Sequence, residues 1–352
     1  MAKGNRMAAS YESLFGGILA EVEGEMRAAR QEQREVAPLM WQMIDHHFGW
    51  NAEDAAQRAR IAGKRVRPVL MALVAQAIAG SYRHVLPAAA ALEFLHNFTL
   101  IHDDVMDRSL ERRHRPTVWS IWGSDQAINA GDGLYALANL TLTRLLRLDV
   151  PPARIVRAAA VLSQACLWTA EGQVLDMTFP QREDVTVAEY LTMITHKTAT
   201  LIEAAAQMGA LLSTDDEAVV QAYGQFARAL GIAFQVRDDY LGIWGDEAIT
   251  GKSATGDIRE KKKSYPVLFA WERAGDSDRE TLRRIYAQPT LSDQDVQQVV
   301  RILERTGAPA ETERVADDYY QAALRHLDAT GSANAAQTQL RQLASFLVRR
   351  AY

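Results

Sequence analysis

Apolar residues recur along this chain at intervals of three and four, and strict alternation of apolar and polar positions is not seen. Alanine and leucine are abundant, prolines number only 10, and β-branched residues do not form alternating runs, so the pattern favours helix over strand. The spacing predicts helices over about 10–30, 35–49, 65–80, 84–108, 124–148, 152–178, 187–212, 215–245, 264–274, 292–306, 309–328 and 333–350. Local signals mark several ends. Ser213-Thr214-Asp215-Asp216 is a run of N-capping residue types, and Ser292 with Asp295 forms a capping pattern in which Asp replaces the usual Glu. Pro151-Pro152 suits a helix start and Gly80 a helix stop. One segment, with Ile202, Ala205, Met208 and Leu211, is apolar on more than one face and belongs in the middle of a bundle. The expected fold class is therefore all-α, a single-domain helical bundle. Residues 1–50 form N-terminal helices with no assigned role, and residues 51–352 carry the function.

Composition narrows the picture. The chain has 352 residues, 48% hydrophobic and 24% charged, with a net charge of −5, which suits a globular core and gives no basic surface for nucleic acid. Its single cysteine, Cys166, excludes an intrachain disulfide. The N-terminus lacks the apolar stretch of a secretory signal, and no apolar run is long enough for a transmembrane helix, so a cytoplasmic protein is expected.

Chemistry concentrates in two places. In LEFLHNFTLIHDDVMDRSLERRHRPTVW, residues 92–119, Asp103, Asp104 and Asp107 end an apolar helix. Asp103 and Asp107, four residues apart, lie one above the other on one face. Carboxylates this close repel and need cations, and magnesium takes one or two carboxylates together with phosphate oxygens. In FQVRDDYLGIWGD, residues 234–246, Asp238 and Asp239 end another apolar run, with Gly242 at the fifth position and Asp246 further on. If the two helices pack with adjacent ends, five carboxylates share one cavity mouth. Basic residues accompany them: Lys64, Arg65 and Arg67 in GKRVRP, Arg112, Arg113 and Arg115, Lys197 with Thr198, Lys252, and Lys261–Lys263. Guanidinium forks and ammonium groups are the usual partners of phosphate oxygens.

GKRVRP, LEFLHNFTLIHDDVMD, RRHRPT, EGQVLD, HKTA, FQVRDD and GKSATGDIREKKKSYP, in this order over about residues 60–270, resemble the ordered motifs of the trans-isoprenyl diphosphate synthases, in particular the short-chain farnesyl and geranylgeranyl diphosphate synthases. The resemblance implies an all-helical bundle around a deep apolar cavity, a homodimer, and three Mg²⁺ per active site. It implies that an allylic diphosphate condenses with isopentenyl diphosphate through ionisation, condensation and proton loss. By the same resemblance Asp103, Asp104 and Asp107 hold two of the metal ions, and Asp238 with Asp239 holds the third. Arg112, Lys197, Lys252 and Lys262 grip the allylic diphosphate, helped by Thr198 and Gln235. Lys64, Arg67, His96 and Arg113 hold isopentenyl diphosphate, and Gln173 with Asp176 orients Lys197. His96 lies seven residues before Asp103, on the same helix face.

Two departures stand out. RRH replaces the usual RRG, placing His114 where the family has glycine, and Gly242 replaces the third aspartate of the second motif. An aspartate at 242 is expected to be tolerated and to lower the magnesium requirement. Product length should follow cavity depth. Phe98 and Thr99 lie about 7.5 and 6 Å below Asp103 along the helix axis, with Phe94 and Leu95 a turn deeper. A bulky Phe98 as floor resembles the geranylgeranyl synthases, so a twenty-carbon product is expected, with fifteen carbons second. A class I terpene cyclase does not need GKRVRP or HKTAT for a second diphosphate. A non-catalytic partner subunit normally loses the first aspartate motif, which is intact here.

Overall fold

The structure is a computed structural model. It describes residues 2–52, 54, 61, 63–113, 115–245 and 255–349, with the side chains of residues 2–10 left out. Among these residues the chain is helical almost throughout: α1 (Ala2–Gln31), α2 (Pro38–Phe48), α3 (Val66–Ala79), α4 (Leu86–Met106), α5 (Val118–Trp122), α6 (Ser124–Thr143), α7 (Pro152–Thr178), α8 (Val187–Ile194), α9 (Thr200–Leu211), α10 (Glu217–Trp244), α11 (Gly256–Arg259), α12 (Tyr265–Arg273), α13 (Asp276–Tyr286), α14 (Asp293–Arg305), α15 (Ala308–Ala329) and α16 (Ala335–Val348). A ribbon of two-residue strands, β1 (Glu111–Arg112) and β2 (Arg115–Pro116), joins α4 to α5.

Several ends are made as the sequence suggests. α7 starts at Pro152, Gly80 closes α3 in the left-handed conformation at φ +73°, and Ser292 and Asp295 form a reciprocal capping box. Some details differ, among them the short helices α5 and α11, which no predicted span covers. The long helix expected at 187–212 is broken by a π turn, Thr195–Ala199, between α8 and α9. α13 was not foreseen, because it buries only Leu282 and Ile285 and its first turn is nearly all polar. The two-residue strands are too short to show any period.

Contacts divide the chain into two compact units. The first comprises Phe15–Ser163 with Ala205–Glu217. Its centre is α3, where every residue from Val69 to Ala75 is fully buried, as befits a helix that is apolar all round. Ala88–Leu92 of α4 are equally enclosed. Gly209 lets α9 press against α3, because a Cβ there would fall 2.6 Å from the Met71 carbonyl oxygen. The second unit comprises Met1–Leu14, Gln164–Ala204 and Ala218–Tyr352. One of its cores joins Tyr190, Met193, Ile194, Ile232, Val236, Tyr265 and Leu268. The other joins Leu282, Ile285, Val296, Val299, Ile302 and Leu303.

Candidate active site

In the first unit, α4 is buried along most of its length and ends where its carboxylates begin. Asp103 is partly exposed and Asp107, the C-cap, is exposed. Asp104 turns the other way. It is 2% exposed and takes both ends of a fork from Arg112, whose Nε lies 2.8 and 3.0 Å from its two oxygens. Burial pushes the Asp104 carboxyl above its ordinary range, and Arg112 pulls it back. The adjacent aspartates of DDVMD thus have different surroundings: Asp103 faces outward with Asp107, while Asp104 anchors the arginine ribbon.

Arg113 follows at φ +54° and donates to the Ile61 carbonyl. Gly63 leaves room for it: φ there is +69°, and a Cβ would lie 2.8 Å from the Arg113 Cζ. This is the physical reason for the glycine of GKRVRP. Lys64 is exposed, and Arg67 is partly buried with its Nη1 donating to His96 Nε2 at 3.1 Å. His96 therefore accepts on Nε2 and is neutral; burial first, then the nearby arginines 67, 113 and 112, hold it well below the usual histidine range. Burial lowers Arg67 to about 10, with Glu93 acting in the opposite direction, so it remains a cation at neutral pH. His96 Nδ1 and Arg67 Nε are buried without a partner among the described residues.

Sequence reasoning missed two contributors to this corner, His46 and His47 of α2, which line a small pocket with Asp104, Arg112 and Arg113. Adjacent histidines on a short amphipathic helix carried no signal of their own. Of the proposed floor, Phe94 and Leu95 are fully enclosed in the core, with Phe94 edge-on to Phe48 at 5.7 Å. Phe98 and Thr99 are partly accessible. The Phe98 ring lies 4.8 Å from His102 and 5.5 Å from Tyr135 of α6.

In the second unit, a pocket of about 140 Å³ is lined by Asp176, Tyr190, Lys197, Thr198, Gln235, Asp238, Asp239, Asp257 and Lys262, among others. Its wall is the π turn, a type of insertion frequent at functional sites. Two glycines admit it. A Cβ on Gly172 would fall 2.2 Å from the Lys197 backbone nitrogen, and one on Gly231 would fall 2.6 Å from the Ala199 Cα. The turn is thus clasped between α7 and α10 at backbone contact distance, which explains the glycine of EGQVLD. Lys197 donates to Asp176. Thr198 donates to Gln235 at 3.0 Å, and Gln235 donates in turn to Asp239 at 3.0 Å. Gln173, one residue beyond Gly172, is buried.

Asp239 is 6% exposed and also accepts from the Tyr190 hydroxyl at 2.5 Å and the Tyr265 backbone N–H at 2.9 Å. Burial pushes it up to about 7 in spite of these donors. It ties α8, α10 and α12 together, whereas Asp238 is partly exposed on the pocket wall. Gly242 stands against Asp257 of α11. A Cβ there would fall 2.1 Å from Asp257 Oδ2, so an aspartate at 242 requires that carboxylate to swing aside. Sequence reasoning missed Asp257, which carries an ion pair with Lys262 at 3.1 Å. Lys252 and His114 lie outside the described residues.

Among the described residues, no group of three or more histidine, cysteine, aspartate or glutamate side chains is arranged to hold a metal ion unaided. In one unit Asp103 and Asp107, a turn apart, are accessible; in the other Asp238 shares a pocket with Lys197 and Lys262; each offers one or two oxygen ligands. That donor set fits magnesium, which completes its shell with water and phosphate oxygens. No helix among the described residues is long and apolar enough to cross a membrane.

Comparison with known proteins agrees with this geometry. The chain is 36% identical to (2E,6E)-farnesyl diphosphate synthase of Mycobacterium tuberculosis over 292 residues, 81% of this chain and 80% of the relative. It is 38% identical to geranylgeranyl diphosphate synthase of the same organism over 285 residues, with the same coverage of 81% and 80%. The solved geranylgeranyl pyrophosphate synthetase of Pyrococcus horikoshii superposes with a TM-score of 0.85 at 31% identity, covering 97% of this chain and 100% of that one. The geranylgeranyl pyrophosphate synthase of Corynebacterium glutamicum, solved with isoprenyl diphosphate and magnesium, gives 0.81 at 26% identity, covering 97% and 99%. Residues 51–303 match the polyprenyl synthetase family, and the chain, a prenyltransferase of the all-helical isoprenoid synthase fold, belongs to it.

Proposed function

We propose that this enzyme is a Mg²⁺-dependent geranylgeranyl diphosphate synthase that extends an allylic diphosphate with isopentenyl diphosphate. The observation that carries the reading is that each compact unit gathers aspartates of the two motifs with cationic side chains: Asp104 with Arg112 and Arg113 in one, Asp238 with Lys197 and Lys262 in the other. Mg²⁺, three ions when bound, would supply positive charge against the departing diphosphate, and Asp103, Asp107 and Asp238 would hold it. Lys197, Thr198, Gln235 and Lys262 grip the allylic diphosphate, with Asp176 setting the Lys197 ammonium. Because Lys197 and Thr198 are fixed in advance by the π turn, they meet the growing negative charge without reorganising. Lys64, Arg67, His96 and Arg113 hold isopentenyl diphosphate, and a neutral His96 donates from Nδ1. The carbon–oxygen bond of the allylic substrate breaks, the double bond of isopentenyl diphosphate attacks the cation, and a proton leaves to the released diphosphate. Phe98 bounds the product at twenty carbons. A fifteen-carbon product is the second reading, supported by the similarity to a farnesyl diphosphate synthase.

The enzyme acts as a homodimer in this reading. Support comes from exposed apolar side chains on α6 (Ile128, Tyr135, Leu140) and α7 (Val156, Leu167, Val174), of a kind that soluble proteins usually cover. The test is incubation with Mg²⁺, labelled isopentenyl diphosphate and each allylic primer in turn, followed by sizing of the dephosphorylated products. A twenty-carbon chain, lost on chelation, is expected. A different length would overturn the Phe98 floor, and absence of elongation with every primer would overturn the reading itself.

A further inference from the structure

The ribbon that carries Arg112 and Arg113 is poorly equipped to hold its own shape. It has two residues per strand, with Glu111 opposite Pro116 and Arg112 opposite Arg115. Hairpins this short are marginal alone. Its turn reads Arg113-His114, and Arg113 stands at φ +54°, where glycine or asparagine is ordinarily needed. Arg112 has an anchor in Asp104, and the Arg113 side chain donates to the Ile61 carbonyl, but neither bond holds the other strand.

The other strand of the ribbon is held by α2. His46, 8% exposed, lies 2.9 Å from the Pro116 carbonyl through Nε2. A carbonyl only accepts, so Nε2 carries the proton and donates. Burial lowers the His46 pKa, which favours the neutral ring, and the Pro116 carbonyl selects this tautomer. In return Arg115 donates to the His46 carbonyl at 2.8 Å, and to Asn51 at 2.9 Å. The His46 ring stands edge-on to Trp122 at 5.2 Å, which fixes its orientation. The next residue, His47, reaches the same corner from below. It lies 3.0 Å from Asn97 Oδ1, and the Asn97 amide donates to Glu93 at 3.0 Å. Glu93 is the carboxylate whose charge favours both Arg67 and Arg113 in their cationic forms.

We propose that His46 is a positioning residue for isopentenyl diphosphate: by fastening β2 it sets the strained turn that aims Arg113. This assigns the N-terminal helices a part in substrate binding, and it rests on the reading of Arg113 given above. The outside tie matters because Arg113, with a side chain, holds a left-handed φ of +54°.

The test measures KM for each substrate separately, with isopentenyl diphosphate affinity checked by calorimetry. His46→Ala should raise KM and Kd for isopentenyl diphosphate about tenfold, while KM for the allylic primer and the melting temperature change little. His46→Gln, whose amide can still donate to Pro116, should recover most of the loss. Arg115→Gln, which cuts the return tie and empties no space under the ribbon, should reproduce the selective rise. An equal rise in both KM values with a lower melting temperature would show a merely structural role and overturn the proposal. So would a Gln variant as impaired as Ala, or an unmoved affinity in an otherwise active enzyme. A wild-type protein that binds no isopentenyl diphosphate would overturn the parent reading as well.

Discussion

The two aspartate clusters read almost alike in sequence, yet the structure uses them differently. In both, the first aspartate of the pair faces outward and the second is buried: Asp104 is 2% exposed and Asp239 6%. Asp104 is taken up by a cation, Arg112. Asp239 is taken up by neutral donors from three helices, Tyr190, Gln235 and the Tyr265 N–H. The cluster in the last turn of α4 supplies its further carboxylate locally, from Asp107 one turn on. The cluster near the end of α10 has Gly242 at that place and meets Asp257 from α11. A doubled aspartate thus combines an outward ligand with an inward strut, and what the strut ties down differs between the two sites.

The largest effect that would sharpen this contrast is Asp103→Ala, expected to lower turnover by at least ~10²-fold with helical circular dichroism unchanged. Loss of the helical signal would make the outward aspartate structural and break the contrast. Next comes Gly172→Ala. The new methyl would displace the π turn from α7, reducing kcat by about 10²-fold through a misplaced Lys197 and stability by ~1–3 kcal/mol. An unaffected enzyme would show that the turn does not set the lysine.

Gly242→Asp tests the borrowed carboxylate. The single change should drive Asp257 from its place and weaken magnesium dependence curves by about tenfold. Adding Asp257→Gly should recover most of this by giving the new side chain room; no recovery would mean that Asp257 is needed at its own position.

Asp239 makes a pH prediction. Its folded pKa, about 7, is raised above the ordinary aspartate value, so its contribution to stability is complete below about pH 4 and is lost as pH rises through 7. Chelated enzyme should therefore melt lower at pH 8 than at pH 5, and Asp239→Asn should flatten that slope. Asp104→Asn should alter it less, because Arg112 offsets the burial. Equal slopes in both variants would erase the distinction between cation-paired and neutral-donor struts. The smallest expected effect on rate is that of Phe98→Ala, which should leave turnover within a few fold and lengthen the product; an unchanged product length would make Phe98 a packing residue against Tyr135.

Much of this site was legible in order along the chain. The motifs from GKRVRP to GKSATGDIREKKKSYP name most of the residues that the two pockets collect. What escaped were the residues whose role depends on who faces them. His46 and His47 lie far from any motif and matter only because α2 meets the arginine ribbon. Tyr190 reads as an ordinary buried aromatic until its hydroxyl meets Asp239. Gly242 read as a lost ligand, since nothing in its neighbourhood announces Asp257, fifteen positions later.

The sequence by itself determined the helical class, the reaction family and the chemical types at the site, because helical period and motif spacing are local properties of a chain. Tertiary structure alone decided which aspartate of each pair faces outward, why Gly172 and Gly231 must be glycine, and which helix steadies Arg113. Those outcomes depend on burial and on contacts between segments tens of residues apart, and neither is written in the spacing of residues along one helix.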